Sequence, residues 1–156
     1  MQLTLVAIGR RGPHWLQDAG AEYALRLPAE IKLRSVDLAP VRRSNSEPRD
    51  QVRRSEAQKI RTALRAGHHV IVLDESGKTL STRQLSGHLR RWIDAGTNVA
   101  LVIGGADGLD PALRKEAAEC WSLSALTLPH GLVRLLVLEQ VYRAWSILSN
   151  HPYHRD

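Results

Sequence analysis

Residues 98–111 read NVALVIGGADGLDP. Asn98–Ile103 is a short, almost unbroken apolar run. A strand of that kind is covered on both faces, which is the mark of a parallel sheet. Gly104 and Gly105 end the run. Lacking Cβ atoms, they either make a plain tight turn or let backbone approach a ligand closely. Asp110 then offers a capping oxygen to the free N–H groups of a helix start, and Pro111 at the first helical position gives up no hydrogen bond.

The same alternation extends outward in both directions. Gln2–Ile8 reads as a strand ended by Gly9. Pro13 to about Leu27 reads as a helix with Trp15, Leu16, Ala19, Tyr23 and Leu27 on its inner face. Ile31–Leu38 alternates as a half-buried strand does. Ala39–Asp50 (APVRRSNSEPRD) is polar and bounded by prolines, so it reads as a loop. A charged helix follows to about Ala66, with Val52, Ile60 and Leu64 inward and Gly67 as its cap. His69–Leu73 is a second buried strand, and Asp74–Thr79 (DESGKT) reads as a loop. Ser81 with Gln84 forms a capping box that opens a helix bearing Leu85, Leu89, Trp92 and Ile93, ending at Gly96. A short strand is expected within Ser122–Leu128, closed by Pro129. Gly131 to about Ser149 is the longest helix. The fold class is therefore α/β, a mainly parallel sheet with helices on both faces. In such sheets ligands sit outside the carboxyl ends of the strands. The segments after Leu73, after Ile103 and around Leu128 are the candidates.

The length, 156 residues, fits a single domain. The one cysteine, Cys120, excludes an intrachain disulfide and reads as a small core residue in a helix. No apolar run approaches the ~18 residues of a membrane span. The apolar start lacks the basic region of a signal peptide, so the expected compartment is the cytoplasm. The charge is lopsided. Residues 1–66 carry 13 basic and 7 acidic side chains, and 67–156 carry 9 of each. The net +6 therefore resides in a basic N-terminal half, and 18 of the 22 basic residues are arginine. Arginine forks match phosphate, so an anionic polymer is one reading and a solvated basic face the other. Arg42, Arg43, Arg49, Arg53 and Arg54 are the candidate contacts to the phosphates of such a polymer.

Gly77-Lys78-Thr79 imitates the end of a nucleotide-binding loop, but the required earlier glycine falls on Leu73, which excludes it. Ser122–His130 (SLSALTLPH) mixes hydroxyls with leucines. It suits a ligand with polar groups and an aromatic base, or a plain strand with a polar face. His14 and His88 read as surface residues. His151 and His154 have metal-ligand spacing without a third ligand nearby, so no metal site is expected. His130 lies beside the expected pocket. The tail, Tyr153-His154-Arg155, combines groups that stack on a base and hold a phosphate. Arg134 and Glu139 read as structural, paired with each other or across an interface.

These blocks occur in a telling order: LVAIG near the start, LVIGGADGL at 101–109, WSLSALTLPHGLVR at 121–134 and YRAWSILSNHPYHRD at 142–156. The chain closely resembles the ribosomal large subunit methyltransferase H family of the SPOUT class, over essentially its whole length. The resemblance implies a C-terminal trefoil knot, within a cofactor-binding region of about 70–156, and a homodimer. It also implies S-adenosylmethionine as cofactor and methylation at N3 of a pseudouridine in 23S rRNA on the assembled ribosome. Mapped here, the cofactor contacts are Leu73, Gly104, Gly105 and Leu123, Ser124, Ala125, Leu126, Thr127 and Leu128. The catalytic candidates are His130, Tyr153, His154 and Arg155. Two other readings stay open: a SPOUT methyltransferase of another RNA such as tRNA, and a non-enzymatic RNA-binding or ribosome-assembly protein.

Overall fold

A computed structural model describes residues 1–10, 12–42 and 48–154. Ten elements follow one another: β1 (Gln2–Ile8), α1 (His14–Arg26), β2 (Lys32–Leu38), α2 (Arg49–Ala63), β3 (His69–Thr79), α3 (Thr82–Asp94), β4 (Val99–Ile103), α4 (Pro111–Glu116), β5 (Glu119–Ser122) and α5 (His130–Leu148). The strands form one sheet in the order β2-β1-β4-β3-β5, and every pairing is parallel. All carboxyl ends therefore open on one side.

Strand side chains alternate between faces, so each strand feeds two cores. Leu3, Leu5, Ala7, Ile71, Leu101 and Ile103 point to one side, where α3 and α5 bring Leu89, Trp92, Leu138 and Val141. Val6, Ile8, Val72 and Val102 point to the other, against Ala57 and Ile60 of α2 and Leu113 of α4. Both layers of helices are thus required by strands apolar on both faces.

Several local expectations give way. Asp74–Thr79 is not a loop: β3 continues through it, with a register shift between Leu73 and Lys78, and pairs Lys78 with Trp121. A Cβ at Gly77 would lie 2.5 Å from the Trp121 carbonyl carbon, so only glycine lets the two backbones pass. The strand expected within 122–128 lies earlier, as β5, and carries Cys120, which is therefore not helical. The helix after the basic segment begins at Arg49 and is capped at Leu64, ahead of Gly67. Trp15 is 60% exposed, and α1 has no fully buried residue. His88 packs between Trp92 and Trp121 instead of facing solvent. Arg134 pairs with Asp37 and donates to the Gly9 carbonyl at 3.1 Å, whereas Glu139 takes Arg143 at 2.6 Å. The two are not partners of each other.

Candidate functional site

A cleft of about 340 Å³ opens beside the middle of β3 and at the carboxyl ends of β4 and β5. Such sheets place ligands there because the loops following parallel strands splay apart. Its walls are built from three segments of sequence. Leu73, Asp74 and Glu75 come from β3, Gly104–Leu109 from the loop after β4, and Ser122–Ser124 with Leu126–Leu128 from the end of β5 and the loop after it. His130 and Val133, at the start of α5, close it.

The glycine pair is required by packing. A Cβ at Gly104 would sit 2.8 Å from Leu109 Cγ, and one at Gly105 would overlap the Glu56 carboxylate behind it. The loop then turns through the Gly108 N–H to Gly105 carbonyl bond at 3.0 Å, and Asp110 starts α4 by accepting from the Ala112 and Leu113 N–H groups. In the loop after β5, the Leu126 N–H donates to Ser124 Oγ at 2.9 Å and the Ser122 hydroxyl donates to the Ser124 carbonyl at 3.0 Å. Those hydroxyls shape the loop first. Leu126 is 75% exposed and Leu123 39%, an apolar rim at the mouth of a small cavity.

The charges at the cleft are set by identifiable neighbours. Burial alone would raise the Asp74 carboxyl. The Ser76 hydroxyl and N–H and the Arg114 guanidinium outweigh it and hold Asp74 below the usual range. Burial, with Arg134 nearby, lowers the His130 imidazole from its ordinary value, so it stands neutral near pH 7. Glu56 is pushed the other way by burial, with Asp107 adding to the effect.

Of the cofactor-contact candidates, Leu73, Gly104, Gly105, Leu123, Ser124, Leu126, Thr127 and Leu128 line the cleft. Ala125 is exposed and does not. His130 joins them, but Tyr153 and His154 lie elsewhere. The Tyr153 hydroxyl donates to Glu139 Oε1 at 3.1 Å and shares a hydrogen bond with Tyr23 at 3.0 Å. Its ring packs 4.7 Å from Tyr142. His154 is half-buried in the same tail. Arg155 and Arg43 lie outside the described residues. Among the other basic candidates, Arg49 reaches Asp107 on the cleft wall at 3.6 Å, Arg53 pairs with Asp50, and Arg42 and Arg54 are exposed. Sequence reasoning missed Asp74, Glu75, Asp107 and the buried Glu56. For Glu56 a signal existed: it lies four residues from both Val52 and Ile60 on the inward stripe of α2.

The profile of the family described as "Predicted SPOUT methyltransferase" matches residues 1–154. A protein of Ralstonia nicotianae named "Ribosomal RNA large subunit methyltransferase H" is 50% identical over 155 residues, covering 99% of each chain. A protein of the same name from Methylococcus capsulatus is 46% identical, covering 99% of this chain and 100% of its own. The solved structure of a methylase family protein from Neisseria gonorrhoeae superposes with a TM-score of 0.53 at 12% identity, covering 98% of this chain and 94% of that one. At that identity the likeness speaks to the fold alone. Identity of this extent over nearly the full length, together with the family profile, leads to one assignment: the chain belongs to the SPOUT methyltransferase family, in the group named ribosomal RNA large subunit methyltransferase H.

Proposed function

We propose that this protein methylates large-subunit ribosomal RNA with S-adenosylmethionine, at N3 of a pseudouridine in 23S rRNA, acting in the cytoplasm on the assembled ribosome as a homodimer. The observation that carries the reading is the cleft beside Leu73 of β3 and at the carboxyl ends of β4 and β5, lined by the Gly104–Gly105 turn and the loop after β5. Its volume suits a small cofactor. Leu73, Leu109, Leu126 and Leu128 offer an apolar bed for an adenine, and Gly104 and Gly105 present backbone alone to the cleft. The residues therefore fit the cofactor. When bound, it supplies a methyl group on a sulfonium, which leaves as the neutral thioether.

The protein's own work is to hold the base and take its proton. An N3 imide nitrogen carries a proton at neutral pH, and attack on the methyl requires its removal. His130, neutral and at the cleft, is placed to accept it. Tyr153 and His154 do not line the cleft of their own chain. Glu139, which holds Tyr153, is nine residues along α5 from His130, roughly 13 Å along the axis and about half a turn around it. In the reading proposed here, the tail of one subunit serves the cleft of the other. The exposed Trp15 and Leu25 of α1, which has no fully buried residue, support a second copy packing on the α1 side. A C-terminal trefoil knot within about residues 70–156 belongs to the same reading. Arg42, Arg43, Arg49, Arg53 and Arg54 would hold rRNA phosphates, with Arg49 at the cleft wall. Among the described residues no helix is long and apolar enough to cross a membrane.

The test is transfer of label from S-adenosylmethionine to ribosomes from cells lacking this protein, followed by mapping of the modified nucleotide. Label at N3 of a pseudouridine in 23S rRNA is the expected result. Label on tRNA alone would overturn the substrate, and absence of label from ribosomes, free rRNA and tRNA would overturn the reaction.

A further inference from the structure

The net charge of the chain is +6, yet no lysine or arginine is among the described residues that line the cleft. The lining charges are Asp74, Glu75 and Asp107. Asp74 has the Arg114 guanidinium at 3.2 Å, and Asp107 has Arg49 at 3.6 Å. A further carboxylate reaches the same wall from behind. Glu56 of α2 is 4% exposed. Its Oε1 accepts the Val41 N–H at 3.2 Å, while its Oε2 is buried without a hydrogen-bond partner. That carboxylate lies against Gly105, and any Cβ at 105 would overlap it. An unpaired buried carboxylate oxygen is costly, so its retention calls for an explanation. Here only a glycine separates it from a cleft whose ligand is a cation.

We propose that Glu56 is a positioning and specificity residue of the cofactor site, whose carboxylate behind Gly105 favours the cationic sulfonium donor over its neutral thioether product. The inference rests on the cofactor reading above. The donor carries one positive charge more than the product, and the two are otherwise alike apart from the methyl. A fixed negative charge behind the wall therefore separates them where shape does not. Weak retention of product frees the site for the next donor. Through Oε1 the same side chain also holds the Val41 N–H, just past the end of β2.

The test is calorimetric titration of the protein with S-adenosylmethionine and, separately, with S-adenosylhomocysteine, with thermal melts to establish folding. Glu56→Gln keeps the volume and the acceptor for Val41 but removes the charge. It should bind the product as the unsubstituted protein does and lose about fivefold in donor affinity. Glu56→Asp, which keeps the charge, should retain the preference for donor. Equal weakening of both ligands in Glu56→Gln would reduce Glu56 to a packing role and overturn the proposal, as would unchanged binding of both. Failure of the unsubstituted protein to bind either ligand would show before any substitution and would overturn the cofactor reading itself, and this proposal with it.

Discussion

His130 meets the requirements of a proton acceptor through position and charge state together. It stands at the first turn of α5, on the cleft, where burial and then Arg134 lower its pKa from the ordinary imidazole value of 6.5. An imidazole accepts a proton only when neutral. Its contribution is therefore full above its lowered pKa and lost as pH falls through it. The single-turnover rate should show an acid limb with a midpoint below 6.5, the ordinary value, and no further loss due to this group from there to pH 8. His130→Gln should lose that limb and reduce the rate by about 10²-fold or more, while cofactor binding persists. Retention of the limb in the variant would move the role to another group. Tyr153 is not a competitor as a base. Burial, the Tyr23 hydroxyl and the Glu139 carboxylate push its phenol far above the usual range, so it stays protonated and can only donate or stack.

The elements around the cleft are set by short, local signals, and α4 shows how much one signal carries. It is six residues long, too short to hold itself as a helix, and it brings Leu113 into the second core. Asp110 starts it, with Oδ1 accepting from the Ala112 N–H at 2.9 Å and the Leu113 N–H at 3.1 Å. Asp110→Ala should lower stability by about 1 kcal/mol in urea unfolding, since it leaves those donors unpaired at a largely buried position. A loss below a few tenths would mean that the core contacts of Leu113 hold the turn alone. Signals of this kind made much of the fold legible. Examples are the Asp110–Pro111 start, the Ser81–Gln84 capping box, and the apolar runs of β1 and β4. What escaped depended on partners distant in sequence. DESGKT has the composition of a turn, yet it is strand because β5 supplies a parallel neighbour beyond a register shift. The period of α1 marks Trp15 as inward, but periodicity does not reveal whether anything covers that face. At the site, motif blocks gave the cleft's walls. Glu56 was hidden in a helix that reads as charged, because nothing in its own neighbourhood announces a glycine turn 49 residues further on.

At the scale of the molecule, the cleft meets the first residue of α5 and the tail follows its last. The tail is docked by Tyr153 on Tyr23 and Glu139, with the Arg143 guanidinium 4.8 Å from the centre of its ring. That docking holds it against α1 and α5, outside the lining of the cleft. A chain that uses both must either undock its tail or receive one from a second copy. A homodimer with two-fold symmetry offers the second route twice over, since whatever one tail does for the partner's cleft the other does in return. The two routes separate in mixed dimers. One subunit carries His130→Ala and keeps its tail; the other keeps its cleft and is truncated after Asn150. Each variant alone should be nearly inactive. In a mixed dimer, the intact cleft meets the intact tail only if tails act across the interface. Random mixing makes half the dimers mixed, each with one working site of two, so activity should return to about a quarter of the unsubstituted level. If tails act within their own chain, every site in the mixture lacks either base or tail, and activity stays at the level of the parents. Thermal melts and sedimentation of the mixture establish that both variants fold and pair. The truncated chain should still bind S-adenosylmethionine, because no residue beyond Val133 lines the cleft in the described structure.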